Sequence, residues 1–205
     1  MRRLLAGAFP IAAAAALYAA PVAADIGHHQ DLGEARRACT ITDPDGDVTK
    51  RIFGTPGNDV ICGLRGNDRI DGRGGDDVIF AGGGADIIDG GPGDDRIFGG
   101  SGRDYASGRD GSDVIRGGTG QDELGGKDAG RDWYLGGAGA DLIYGTDGPD
   151  VLKGGPGDER CLWAEDRVGD DRIVGGGGTD VFESDPGDAV RAERASDCIP
   201  IDGDP

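Results

Sequence analysis

A nine-residue period dominates this chain. From Gly54 the sequence divides without gaps into GTPGNDVIC, GLRGNDRID, GRGGDDVIF, AGGGADIID, GGPGDDRIF, GGSGRDYAS, GRDGSDVIR and GGTGQDELG, ending at Gly125. Aspartate holds the sixth position and glycine the fourth in every unit, and the eighth is aliphatic in seven of the eight, Ala106 being the weak member. A repeat this short and strict confines the chain to architectures in which one small unit stacks on the next. Glycine makes up 43 of the 205 residues. Disordered linkers share that composition but lack the phase. After Gly125 one residue is inserted, and the pattern resumes with Asp132, Asp141 and Asp150. The following unit, GGPGDERCL, carries Glu159 in the aspartate position, and after a break of three residues two more units supply Asp171 and Asp180. Asp188, in a last trace around Gly187, stands one place early and is left outside the pattern.

Each unit reads as a glycine-rich turn, G-G-x-G-x-D, joined to a three-residue strand. Glycine supplies the positive φ angles of a tight bend, and three residues between glycines are too few for a helix. Side chains alternate across a strand. The flanking positions include Arg69, Asp71, Asp89, Arg96 and Arg116, so the central aliphatic residue must be the inward one. So short a strand buries nothing alone. Two units per coil, stacked by backbone pairing at about 4.8 Å, give an all-β fold: a parallel β-roll solenoid with an inner seam of Ile and Leu and small irregular end caps. Units n and n+2 then overlie each other. Asp59, Asp77, Asp95 and Asp113 form one column, and Asp68, Asp86, Asp104 and Asp122 the other.

Those columns demand a counter-charge. Two carboxylates about 5 Å apart repel by roughly 1 kcal/mol in water and about 3 kcal/mol at an effective dielectric near 20. One aliphatic residue per unit does not outweigh many such contacts. A hard divalent cation with six to eight oxygen ligands fits between carboxylates and glycine carbonyls. The turns hold no His or Cys for zinc or copper, and magnesium keeps its waters, which leaves calcium. The units resemble the G-G-x-G-x-D-x-U-x calcium-binding nonapeptide, the RTX or hemolysin-type repeat, over roughly residues 54–183. The resemblance implies several Ca2+ ions between stacked turns. Carried over by position, the metal ligands are Asp59, Asp68, Asp77, Asp86, Asp95, Asp104, Asp113, Asp122, Asp132, Asp141 and Asp150, followed by Asp171 and Asp180 beyond the break. Glu159 departs from the pattern, and its longer side chain puts that position in doubt. If each ion needs units n and n+2, the strict run offers up to six sites.

The ends frame this roll. Arg2 and Arg3, an alanine-rich apolar stretch over residues 4–20 and the small residues Val22, Ala23 and Ala24 read as a signal peptide of residues 1–24. A secreted, extracellular chain starting at Asp25 is therefore expected, by the general or the twin-arginine route. This N-terminal signal sets the chain apart from the many family members that leave through a dedicated channel reading a C-terminal signal. The formal charge is −18, and it becomes −20 without Arg2 and Arg3, which disfavours nucleic acid and anionic membranes as partners. No segment beyond the signal is apolar enough to insert in a bilayer.

Residues 25–53 read as an N-terminal cap or tail and 184–205 as a C-terminal one, with the roll broken near 160–168. Four cysteines in an exported chain make two disulfides. Three connectivities exist, and Cys39–Cys62 with Cys161–Cys198 would pin a cap at each end. Asp43, Asp45 and Asp47 start like an EF-hand loop, but Val48 stands where glycine is needed, so a polar turn is expected. His28 and His29 read as part of a flexible tail, and Trp133, Tyr134 and Trp163 as plugs for irregular coils.

Repeats of this family often accompany proteases, lipases and polysaccharide-modifying enzymes. About 29 residues precede the roll and about 20 follow it, and neither H-E-x-x-H nor G-x-S-x-G is present, so no enzyme is expected. The expected function is that of a secreted calcium-binding protein folded by its ions. The alternative is an extracellular adhesin or cell-surface module that presents the roll to a protein or polysaccharide partner the sequence does not name.

Overall fold

The computed structural model of the chain describes residues 39–42, 49–126, 130–164, 171–184, 186–191 and 194–195. The signal segment, His28, His29 and the Asp43–Asp45–Asp47 run lie outside these. Among the described residues there is no helix, and therefore none long and apolar enough to cross a membrane.

Two nine-stranded parallel sheets form the structure. The first holds Ile41–Thr42 (β1), Val60–Arg65 (β3), Val78–Gly83 (β5), Arg96–Ser101 (β7), Val114–Thr119 (β9), Trp133–Ala138 (β11), Val151–Pro156 (β13), Arg172–Gly177 (β15) and Ala189–Arg191 (β17). The second holds Arg51–Phe53 (β2), Arg69–Asp71 (β4), Ile87–Asp89 (β6), Tyr105–Ser107 (β8), Glu123–Gly125 (β10), Leu142–Tyr144 (β12), Cys161–Ala164 (β14), Val181–Ser184 (β16) and Arg194–Ala195 (β18). Consecutive strands alternate between the sheets, so each coil spends two nonapeptides. This is the β-roll that the period implies. Parallel pairing extends past residues 54–183 at both ends, through β1 and β2 before and β17 and β18 after.

The core is a single file of side chains. Ile61, Ile79, Ile97, Ile115, Tyr134, Leu152 and Ile173 enter from the first sheet. Ile52, Ile70, Ile88, Ala106, Leu124, Ile143 and Leu162 enter from the second. Cα partners sit in register, as in Ile79↔Ile97 and Ile70↔Ile88. Flanking side chains face outward but are not all bathed in water. At about 4.8 Å per rung, neighbours on one face touch, and Phe80 stacks on Phe98 at 4.9 Å between centroids while Arg116 lies over Phe98.

Three irregularities are resolved by the register. The residue inserted after Gly125 makes Ile115↔Tyr134 partners, and Tyr134, fully buried, plugs that coil. Trp133 and Trp163 do not plug. Trp133 pairs with Val114 and Val151 on the outer face, and Trp163 packs against Tyr144 at 6.2 Å. The three extra residues beyond Glu159 are split rather than forming one break. Leu162, not Cys161, pairs with Ile143 on the inner seam, and the amides of Arg160 and Cys161 both donate to the Asp141 carbonyl, at 2.8 and 3.5 Å. That is a one-residue bulge. The other two extra residues fall between Ala164 and Asp171. A disulfide joins Cys39 to Cys62 across 6.0 Å between Cα atoms, tying the start of β1 to β3. Cys161 is also disulfide-bonded, and Cys198 lies outside the described residues.

Candidate metal centre

Each aspartate enters the structure at the end of its turn, two residues before an inward side chain, and the stacking places it directly over its counterpart. In the first column the backbone N–H of Asp59 donates to Asp77 Oδ1, Asp77 to Asp95, Asp95 to Asp113, Asp113 to Asp132, Asp132 to Asp150 and Asp150 to Asp171, at 2.7–2.9 Å. In the second column Asp68 donates to Asp86, Asp86 to Asp104, Asp104 to Asp122 and Asp122 to Asp141, again at 2.7–2.9 Å. Glu159 then takes the aspartate's place. Its Oε2 accepts from the Asp141 N–H at 3.3 Å, and its own N–H donates to Asp180 Oδ1 at 3.4 Å. The longer side chain is thus accommodated, with weaker bonds and the bulge behind it.

All thirteen sequence-derived ligands therefore lie in the two columns, and all are buried. The structure adds members that the pattern missed. Asp188 continues the first column, its Oδ1 accepting from the Asp171 N–H at 3.2 Å. The signal for it was the Asp-x-aliphatic spacing of Asp188-Ala189-Val190, which survives although the glycine spacing does not. At the other end, the Lys50 N–H donates to Asp68 Oδ1 at 3.0 Å, so the second column opens on a residue without a carboxylate.

From Asp68 and Asp77 onward, one oxygen of each carboxylate is spent on register. The other is where a cation would bind. Oδ2 of Asp77, Asp86, Asp95, Asp104, Asp122, Asp141 and Asp180, and Oε1 of Glu159, are buried with no hydrogen-bond partner. A buried acceptor without a donor costs about 1–3 kcal/mol, more when charged. Except at Asp86, whose unit begins with Ala81, these oxygens lie against the first glycine of their own turn, beside a carbonyl of the next coil. A Cβ built on Gly99 would fall 2.6 Å from Asp104 Oδ2 and 2.7 Å from the Gly117 carbonyl oxygen. The site thus combines carboxylate with backbone carbonyl in a space that the missing glycine side chain leaves vacant. Among the described residues no three His, Cys, Asp or Glu side chains converge, so carbonyls must supply much of any coordination sphere. The donor set is all oxygen, as calcium requires.

Without a cation these carboxyls have raised proton affinities. Burial pushes Asp95 and Asp104 up to about 7 and Asp77, Asp86 and Asp122 to about 6, against the lowering effect of the backbone N–H each accepts and with a further push from the neighbouring carboxylate. Glu159 rises to about 7 and Asp141 is also raised, burial again the main cause.

Comparison with known families decides what this arrangement is. The model of the RTX calcium-binding nonapeptide repeat matches four times, over residues 53–88, 89–124, 128–161 and 165–189, well over half of the chain. The chain belongs to this family. Calcium binding follows from the RTX repeat, and the β-roll is a structural module for it. No curated protein and no solved structure matches the chain.

Proposed function

We propose that this RTX protein is secreted and that calcium, bound through aspartates of the two columns, is what folds its roll, without any catalytic role. The observation carrying this reading is the stack of buried carboxylate oxygens that lack donors. A seam of one aliphatic side chain per strand does not offset that burden at neutral pH. Bound calcium supplies the missing positive charge and accepts the carbonyls alongside. The protein's own residues do the rest. From Asp68 and Asp77 onward Oδ1 fixes rung spacing through the amide below, and the small first-position residue leaves room for the coordinating oxygens. Ion binding is then folding free energy. The signal-like residues 1–24 and the Cys39–Cys62 disulfide support export, since disulfides persist in oxidising compartments. The test is a calcium titration of the chain from Asp25 onward followed by far-UV circular dichroism, with magnesium as control. A cooperative gain of β signal with calcium alone is expected. An unchanged spectrum without calcium uptake would contradict the proposal.

A second reading, the extracellular adhesin or cell-surface module, draws on the outer face of the first sheet. There Val60, Val78, Val114, Trp133 and Val151 share one row, while Phe80, Phe98, Arg116, Leu135 and Lys153 share the next, with no carboxylate in either. Binding to intact cells or extracellular polysaccharide in calcium, lost in Trp133→Ser, would support it. Equal binding by both would count against this face.

A further inference from the structure

The two columns are not chemically alike, although the repeat makes them look so. In the second column Asp86, Asp104, Asp122, Asp141, Glu159 and Asp180 each keep a buried carboxylate oxygen with no donor, six rungs in succession. In the first column three rungs have theirs satisfied from within the protein. Asp59 Oδ2 accepts from the Thr55 N–H at 2.6 Å and its hydroxyl at 2.9 Å. Asp150 Oδ2 accepts from the Thr146 N–H at 2.7 Å and its hydroxyl at 3.2 Å. Asp132 Oδ2 accepts from the Tyr134 hydroxyl at 2.8 Å, and the Thr146 hydroxyl stands 3.4 Å away, between the carboxylates of two successive rungs.

The cause lies at the second position of the turn. In the turns leading to Asp77, Asp95 and Asp113 this position is Arg73, Gly91 and Arg109, all at positive φ. Thr55 and Thr146 are not among the residues at positive φ, as expected of a β-branched side chain. With φ negative, the threonine N–H and O–H turn onto the aspartate four residues on. At the remaining rung, Tyr134 stands where other strands carry an aliphatic residue. Its ring fills the seam, and its hydroxyl reaches the space beside Gly126, the start of that turn: a Cβ built on Gly126 would lie 2.9 Å from it. The phenol is fully buried, and its hydroxyl donates to Asp132.

We infer that calcium loads the columns unequally: the second column is a continuous calcium file, whereas the first is closed to the ion at Asp59, Asp132 and Asp150, where Thr55, Thr146 and Tyr134 occupy the cation's place. Donors aim their positive ends at the point a cation would take, and an entering ion would strand them, buried and without acceptors. The closed rungs hold register without metal. This inference rests on the calcium reading above and deepens it.

The test is the crystal structure of the wild-type protein grown in calcium, with anomalous differences locating each ion, alongside ion counting by native mass spectrometry on the wild type and on Thr146→Gly. Ions are expected beside Asp86, Asp104, Asp122 and Asp141 and none within about 2.6 Å of Oδ2 of Asp59, Asp132 or Asp150. Thr146→Gly is expected to bind one more ion than the wild type. An ion bonded to any of those three oxygens in the wild type would overturn the inference and leave the calcium reading intact. Absence of ions throughout would overturn both. If Thr146→Gly does not fold, the wild-type ion positions decide alone.

Discussion

The two edges of the roll carry the same repeat under different constraints. From β3 to β15 the strands of the first sheet run six residues, through the aliphatic position and on into the turn that leads to the second column. There the second-position residues themselves pair rung to rung, as Leu64↔Gly82↔Gly100↔Gly118↔Gly137 and Gly155↔Gly176, all at positive φ. An insertion in one of these turns would break a backbone ladder. From β2 to β16 the strands of the second sheet stop after three or four residues, and the turns leading from them to the first column lie outside the strands. The irregular turns collect at that edge: the insertion after Gly125, the two extra residues before Asp171, the shortened approach to Asp188, and both threonine turns. The single irregularity on the other side, behind Glu159, is a bulge in a strand and leaves the turn intact. Ladder pairing thus preserves one column, and freedom from it lets the other diversify.

The largest effect that sharpens this contrast is expected from Gly100→Val. Gly100 has φ +113°, and a Cβ there runs into the Gly82 carbonyl. Strain and clash, at about 1–3 kcal/mol each, should together cost about 4 kcal/mol, read as a drop in the calcium-bound unfolding midpoint. Arg73→Val, at a first-column second position that already carries a side chain at φ +78°, should cost less, and an equal loss there would erase the distinction between edges.

Proton linkage comes next. The raised carboxyls titrate near 6–7 folded and near 4 unfolded. Between those limits the metal-free roll holds protons that the unfolded chain has released. Its stability is therefore greatest below about 4 and is lost as pH rises through 6–7. In chelator, β content at pH 5 should exceed that at pH 7.5. The reverse trend would contradict the burial of these groups.

A smaller effect is expected from Gly91→Thr, which turns GGPGDDRIF into a copy of the GTPG turn that begins at Gly54. Native mass spectrometry should show one ion fewer with the fold in calcium retained. An unchanged count would mean that threonine does not close a rung. The smallest is Leu64→Gly. Leu64 sits at φ +76° in a ladder position that is glycine in every later rung. Relief of about 1–2 kcal/mol of strain, less about 0.5–1 for glycine's freedom, should raise stability by about 0.5 kcal/mol in a denaturant titration.

Much of this was legible in the sequence because a strict period converts directly into register. The inner seam, the columns and the calcium chemistry all follow from Asp at position six and an aliphatic residue at position eight. Legibility failed where one column position is defined by spacing to the strand rather than to the glycines. Asp188 keeps the former and loses the latter. Cys161 held the expected inward position, yet the glutamate before it lengthened the approach by one residue and put Leu162 there instead. Tyr134 was foreseen as a plug, but not its hydroxyl's role on Asp132, since a one-dimensional pattern does not show where a side chain's tip ends. Nor did the repeat distinguish Thr55 and Thr146 from ordinary variation at a loosely specified position, because their effect works through φ.

The central claim, that the carboxylate columns fold the roll by taking up calcium, is tested most directly by amide hydrogen exchange in calcium and in chelator with magnesium. The account predicts slow exchange at the seam residues Ile79, Ile97 and Ile115 in calcium, and exchange at the rate of an unfolded chain in its absence at pH 7.5. Equal protection of those amides in both conditions would contradict it.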